Sequence, residues 1–186
     1  MRMDRTAPLT ARDVVNGYSF EQLCRILREY GEERFASRIA DRIVRERQRS
    51  PIETTAELAA LVRAAMPKKS RMEAQHPARR TFQAIRIEVN CELAGLREAV
   101  DRAHELLNPG GRLVILTFHS LEDRIVKQAF RSYEKPCTCP PGAPVCICGK
   151  RPTARILTRK PVTGTEAELS RNSRAASAKL RAIEKL

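Results

Sequence analysis

At 186 residues the chain is long enough for one ordinary domain or two small ones. Lys and Arg number 35 against 22 Asp and Glu, a formal charge of +13 that favours a polyanionic partner, nucleic acid first. No apolar run approaches the roughly 18 residues of a membrane span, and the opening residues hold no hydrophobic signal-peptide core, so the expected compartment is the cytoplasm.

Taken in chain order, Leu23, Ile26, Leu27, Tyr30 and then Ile39, Ile43 and Val44 recur at three- and four-residue spacing and predict helices. Ser19 with Gln22, and Thr54 with Glu57, have the spacing of capping boxes, in which a hydroxyl and a carboxylate or amide satisfy free amides at a helix start. The stretch to about Met66 therefore reads as a small helical unit. Residues 67–76, with Lys68, Lys69, Arg71 and His76, lack periodicity and read as a linker or exposed loop. From Ala78 the apolar positions Phe82, Ile85, Val89, Leu93, Leu96, Val100 and Leu107 predict one long helix that stops at Asn108-Pro109-Gly110-Gly111.

Leu113-Val114-Ile115-Leu116 follows as a continuous apolar run, the pattern of a strand buried on both faces in a parallel sheet. Leu121, Ile125, Val126 and Phe130 predict the next helix, capped by Ser120, and the order helix, Gly-Gly turn, strand, helix points to an α/β layer architecture. Ala154 to Val162 reads as a short strand or edge hairpin. The tail, Thr165 to Leu186, reads as helical, with Lys179, Arg181 and Lys185 on a basic surface.

Six cysteines occur, and four crowd into Cys137, Cys139, Cys146 and Cys148. Four thiolates suit tetrahedral zinc, yet common zinc sites leave two to four residues within each pair, whereas these pairs leave one. A reduced, Pro-rich loop with free or redox-active thiols is the other reading.

The block His76-Pro77-Ala78-Arg79-Arg80-Thr81-Phe82-Gln83-Ala84-Ile85-Arg86-Ile87-Glu88-Val89-Asn90, then Pro109-Gly110-Gly111-Arg112-Leu113 and Phe118-His119-Ser120-Leu121-Glu122-Asp123-Arg124-Ile125-Val126-Lys127, closely resembles the MraW/RsmH methyltransferases. Met1-Arg2-Met3-Asp4, Tyr30-Gly31-Glu32-Glu33-Arg34-Phe35, Leu157-Thr158-Arg159-Lys160-Pro161 and Ser177-Ala178-Lys179-Leu180-Arg181 extend the resemblance along the whole chain. It implies an α/β fold: an incomplete Rossmann-like class I methyltransferase domain with an inserted, mostly α-helical substrate domain. Residues 1–75 would be the insertion, and residues 76–186 the C-terminal part of the methyltransferase domain with its Cys-rich loop and basic tail. It further implies S-adenosylmethionine as methyl donor and a cytidine of small-subunit ribosomal RNA as substrate, methylated at N4.

In that family the Met-Arg-Met-Asp motif lies inside the protein, after a Gly-rich turn, an acidic residue for the ribose and an Asp-x-Gly-Val-Ser-Ser segment. Residues 1–186 hold no equivalent of these, so catalytic and donor-binding residues are expected in a missing N-terminal half and this chain alone is expected to be inactive. An exposed sheet edge, open to association, is expected for the same reason. A stand-alone RNA-binding module or ribosome assembly factor is the alternative.

Candidate substrate residues follow from both lines of argument. Arg79, Gln83, Arg86 and Asn90 step by four, three and four along one helical face, where they would meet RNA or form a solvated or interdomain face. His76, Arg80 and Thr81 join them on the resemblance. His119, in a loop after a strand's carboxyl end, is a candidate for holding the substrate base. The terminal segment from Arg171 resembles the family's, with Ser173 and Ala176 in place of a proline and an arginine; it would touch RNA backbone or remain a solvated helix.

Overall fold

The computed structural model describes residues 1–4, 6–67, 70, 76–140 and 145–186. Most of the expected linker, including Lys68, Lys69 and Arg71, and the Pro-Gly centre of the Cys-rich loop lie outside the described residues. The chain divides into two compact units, Met1–Glu92 and Leu93–Leu186.

The first unit is helical: α1 (Ala11–Gly17), α2 (Phe20–Glu29), α3 (Ala36–Arg47), α4 (Thr55–Ala65) and α5 (Arg79–Asn90). The boxes at Ser19/Gln22 and Thr54/Glu57 both form as expected, and Thr10 with Asp13 builds a third that opens α1, a helix the apolar periodicity alone had not indicated. Leu23, Ile26 and Leu27 of α2 interlock with Ile39 and Ile43 of α3, Val62 of α4 and Ile85 of α5, all essentially sealed from solvent. Burial of each such side chain is worth roughly 1.5–3 kcal/mol. Gly31 lets the end of α2 approach α5, since a Cβ there would stand 2.7 Å from the Leu27 carbonyl oxygen and 2.8 Å from that of Arg80.

The expected long helix from Ala78 is in fact two. Cys91 adopts a left-handed conformation (φ 50°) that ends α5, and Gly95 (φ 78°) precedes α6 (Leu96–Leu106). Helical spacing of apolar residues runs through this break, which is why the sequence concealed it. The two halves bury their faces in different cores: Ile85 and Val89 in the first unit, Leu96 and Val100 in the second. The first compact unit runs through α5 to Glu92, because α5 packs on α1 and α2.

The second unit combines α6 and α7 (Ser120–Glu134) with strands β1 (Arg112–Thr117), β2 (Ala154–Ile156) and β3 (Lys179–Lys185), followed in the sheet order β1-β3-β2. Both pairings are antiparallel, with Leu113 opposite Ile183 and Ile156 also opposite Ile183. Two expectations fail here. The tail is helical only over α8 (Glu166–Arg171) and a short 3₁₀ turn, after which it supplies the central strand. Nor is β1 buried on both faces: Leu113 and Ile115 pack with Val126, Phe130 and Ile183, while Val114 and Leu116 on the opposite face remain about half exposed.

The hairpin reading of 154–162 is partly met, by β2 and by an isolated bridge from Val162 to Leu180. Among the described residues no helix is long and apolar enough to cross a membrane.

Candidate functional site

The polar stripe of α5 forms on one face, but Gln83, Arg86 and Asn90 bind their own unit. Gln83 donates to the Tyr30 carbonyl at 3.0 Å, and Arg86 grips Glu92 through two hydrogen bonds of 2.8 and 2.9 Å. The Asn90 amide donates to the carbonyls of Arg86 and Met1 and accepts the Met3 amide at 2.7 Å, which fastens the start of the chain to the end of α5. Arg80 donates to the Glu32 carbonyl at 3.1 Å, Arg79 is exposed, and His76 accepts the Ala78 amide through Nδ1. Thr81 is fully buried, and its hydroxyl has no hydrogen-bond partner among the described residues.

His119, not Ser120, caps α7. The backbone at His119 is extended (φ −142°, ψ 164°), so its ring, placed one residue before the first helical turn, accepts the Glu122 amide at 3.4 Å through Nδ1. Glu122 returns its carboxylate to the amides of Phe118 and His119, and Nε2 of His119 lies 3.2 Å from the other carboxylate oxygen. Burial pushes the Glu122 carboxyl up, but the hydrogen bonds from His119 and the Phe118 amide outweigh it and hold it below the usual range. A carboxylate thus occupies the positive end of the helix that follows β1. The amides of Phe118, His119 and Glu122 in that turn are therefore taken from within, and the turn does not fit the anionic end of an S-adenosylmethionine molecule.

On the same helix, farther along, Lys127, Arg131 and Lys135 line up at four-residue spacing and border a cavity of about 200 Å³ with Arg159. Phe130 and Ile156 contribute apolar surface to it, and Glu134 is tied to the Ile156 amide at 3.0 Å. Arg181 also lines the cavity, but its guanidinium is committed to Asp123 through bonds of 2.6 and 3.1 Å, in a pair almost completely withdrawn from water. The cavity is smaller than the roughly 300–1,000 Å³ of small-molecule pockets and is suited to one anionic group. Sequence reasoning passed over these cations. The step of four from Lys127 to Lys135 was visible, but Arg159 joins them only through the fold. Of the tail residues expected on a basic surface, Arg181 is buried, and Lys185 donates to the carbonyls of His104 and Glu105 at the end of α6.

The cysteines converge as well. Cys137, Cys139, Cys146 and Cys148 bring their sulfurs within 4.8 Å of one another, whereas Cys24 is buried apart and Cys91 ends α5. Backbone amides of Lys150 and Thr138 directed at Cys148 pull its thiol down to about 6, while hydrogen bonds with the neighbouring cysteines push Cys146 up to about 11 despite the Cys148 amide, which acts to lower it.

The geometry defines a helical unit and, described by itself, an α/β unit with a basic cavity and a strand-to-helix turn filled from within. The chain belongs to the MraW methylase family, whose profile matches residues 1–186. It is 59% identical over its full length to the ribosomal RNA small subunit methyltransferase H of Symbiobacterium thermophilum, covering 58% of that protein. The proteins of the same name from Carboxydothermus hydrogenoformans and Brevibacillus brevis are 55% and 52% identical, again over the whole chain, with 60% and 59% of their lengths covered. The chain therefore spans about three fifths of these relatives.

Proposed function

We propose that residues 1–186 form the C-terminal, RNA-facing part of an S-adenosylmethionine-dependent methyltransferase that modifies N4 of a cytidine in small-subunit ribosomal RNA in the cytoplasm. The observation that carries this reading is the end-to-end match to relatives named for ribosomal RNA methylation. The helical first unit is read as most of the inserted substrate domain, and the second unit as the closing strands and helices of the methyltransferase domain.

Three features support the division of labour. The cations Lys127, Arg131, Lys135 and Arg159 around the α7 cavity suit RNA phosphates, as point charges and as planar forks. The loop that holds His119 follows the carboxyl end of β1, the end at which ligands meet α/β sheets, so His119 is read as a substrate-side residue positioned by its cap. The half-exposed face of Val114 and Leu116 would be covered by a packed element, and the edge of β1, which pairs with β3 alone among the described residues, is where further strands would join. S-adenosylmethionine supplies an electrophilic methyl group on its sulfonium. Residues 1–186 are read as holding and orienting the RNA, and not as binding that donor.

The test is a chimera in which residues 1–186 replace the matching segment of the Symbiobacterium thermophilum relative, expressed in cells lacking their own enzyme. N4-methylcytidine should appear in small-subunit ribosomal RNA by nucleoside mass spectrometry, while calorimetry of residues 1–186 alone should show no micromolar binding of S-adenosylmethionine. Replacement of Lys127 and Arg131 by Ala should weaken RNA binding and lower the slope of affinity against salt by about 2. Methylation of another base, or saturable donor binding by residues 1–186, would overturn the reading. RNA binding without methylation in the chimera would favour a stand-alone RNA-binding module.

A further inference from the structure

Among its described residues, the connection from α7 to β2 buries no large apolar side chain. Val145 and Ile147, on either side of Cys146, are 70% and 87% exposed. Its ends are held together by the Thr153 amide, which donates to the Tyr133 carbonyl at 2.9 Å. Yet within this thinly packed segment four sulfurs meet. Cys146 Sγ lies 3.7 Å from Cys137, 3.8 Å from Cys139 and 3.4 Å from Cys148, and Cys148 lies 3.7 Å from Cys137.

A disulfide would draw one pair to about 2.05 Å and leave the other two sulfurs no reason to follow. Four thiolates at about 2.3 Å from a central zinc ion stand at the corners of a tetrahedron whose edges are about 3.8 Å. The four separations above, 3.4–3.8 Å, are close to those edges, and all four sulfurs lie within 4.8 Å of one another. The one-residue gap within each pair is compatible with it, because residues i and i+2 of an extended segment present their side chains to the same side.

We propose that Cys137, Cys139, Cys146 and Cys148 form a tetrathiolate zinc centre that folds the connection between α7 and β2. The backbone is shaped for it. Gly149 takes a left-handed conformation (φ 63°) directly after Cys148, and the Lys150 amide turns back toward the Cys148 sulfur. The Thr138 amide joins it, and the Cys148 amide addresses Cys146. Amide hydrogen bonds of this kind orient thiolate ligands and spread their charge. Zinc with four thiolates carries a formal charge of −2, and Lys135, Lys150 and Arg151 follow or precede the ligands closely in sequence. On binding, the cysteines still protonated lose their protons to solvent, four zinc–sulfur bonds form, and no electron changes hands. The role is structural: one ion replaces the hydrophobic packing that the segment lacks.

The experiment uses the full chain, purified under reducing conditions without chelators and dialysed against metal-free buffer. Elemental analysis should give about one zinc per chain. Cys146→Ser should reduce this to near zero, while Cys91→Ser, outside the cluster, should leave it unchanged. Far-UV circular dichroism will show whether the helices survive in each variant. Because Cys146→Ser removes a ligand and could disorder the loop, Gly149→Ala supplies a second arm: it strains the turn but keeps all four thiols. It should retain zinc but give it up to a competing chelator at about tenfold lower concentration. Cobalt(II) in place of zinc should develop the visible absorption of a tetrahedral thiolate site. Iron at stoichiometric level, a disulfide within the cluster of the freshly purified protein, or equal zinc in the parent and Cys146→Ser chains would each overturn the proposal.

Discussion

In the first unit, α1, α2 and α4 each begin on a reciprocal cap whose two partners stand three residues apart, as Thr54 and Glu57 do. In the second unit the sheet is held to α7 by Arg181 and Asp123, 58 residues apart in sequence and sealed from water in the fold. Both units bury an apolar cluster and α7 also opens on such a cap, but the second unit adds a long-range ion pair withdrawn from water. Local specification should make a unit tolerant of single losses. Long-range specification concentrates the risk in a few contacts.

The largest effect expected from this difference is at the buried ion pair. Arg181→Leu leaves Asp123 withdrawn from water without its main partner, since Lys179 stands 3.6 Å away and is more exposed. The expected loss is about 3–5 kcal/mol, confined to the second unit. Hydrogen exchange during urea unfolding should show β1 and β3 amides losing protection while α2 and α3 keep theirs. Acid sharpens the contrast. Burial pushes the Asp123 carboxyl up, but Arg181 and then Lys179 outweigh it and hold it below the ordinary carboxylate range. A carboxyl with a lowered folded-state value stabilises fully above its unfolded value of about 3.9 and loses that contribution as pH falls through the folded one. The parent second unit should therefore weaken below about pH 4, and Arg181→Leu should flatten this dependence. Equal loss of protection in both units would break the comparison.

What could be read from the sequence follows the same line. The boxes at Ser19 and Thr54, the stop at Asn108-Pro109-Gly110-Gly111 and the helix through Val126 and Phe130 were legible because their signals lie within a few residues. The break at Cys91 was not, since Val89, Leu93 and Leu96 keep helical spacing across it and only Gly95 marks it. Lys179 to Lys185 reads as a charged tail until β1 and β2 pair on either side of it and turn Arg181 and Ile183 inward. The site divides in the same way. The cysteine cluster and the loop at His119 could be found by residue type, and the His119–Glu122 cap lies within three residues, whereas the cavity completed by Arg159 depends on how the chain closes.

An intermediate effect is expected where the first unit has its own long-range constraint. Gly31→Ala places a methyl group against two backbone carbonyl oxygens, of Leu27 and Arg80, neither of which can swing aside. Overpacking of this kind costs about 1–3 kcal/mol. The loss should be read as a lower urea midpoint, with reduced exchange protection in α2 and α5 and none in β3.

The smallest effect is the most telling about local specification. Thr54→Ala removes the hydroxyl that accepts the Glu57 amide at 3.2 Å, but Glu57 still accepts the amides of Glu53 and Thr54 at 2.8 and 3.0 Å. Half of the box survives, so the expected cost is about 1 kcal/mol, and Thr54→Ser should restore most of it. Removing the carboxylate as well, in Thr54→Ala/Glu57→Ala, should cost more than either change alone, though still less than Arg181→Leu. α4 would keep Leu58 and Val62 in the core and fray only at its first turn. Should Thr54→Ala instead prove as damaging as Arg181→Leu in the same denaturation experiment, the cap would be holding up the packing of α4 rather than its first turn, and the tolerance ascribed to locally specified helices would have to be withdrawn.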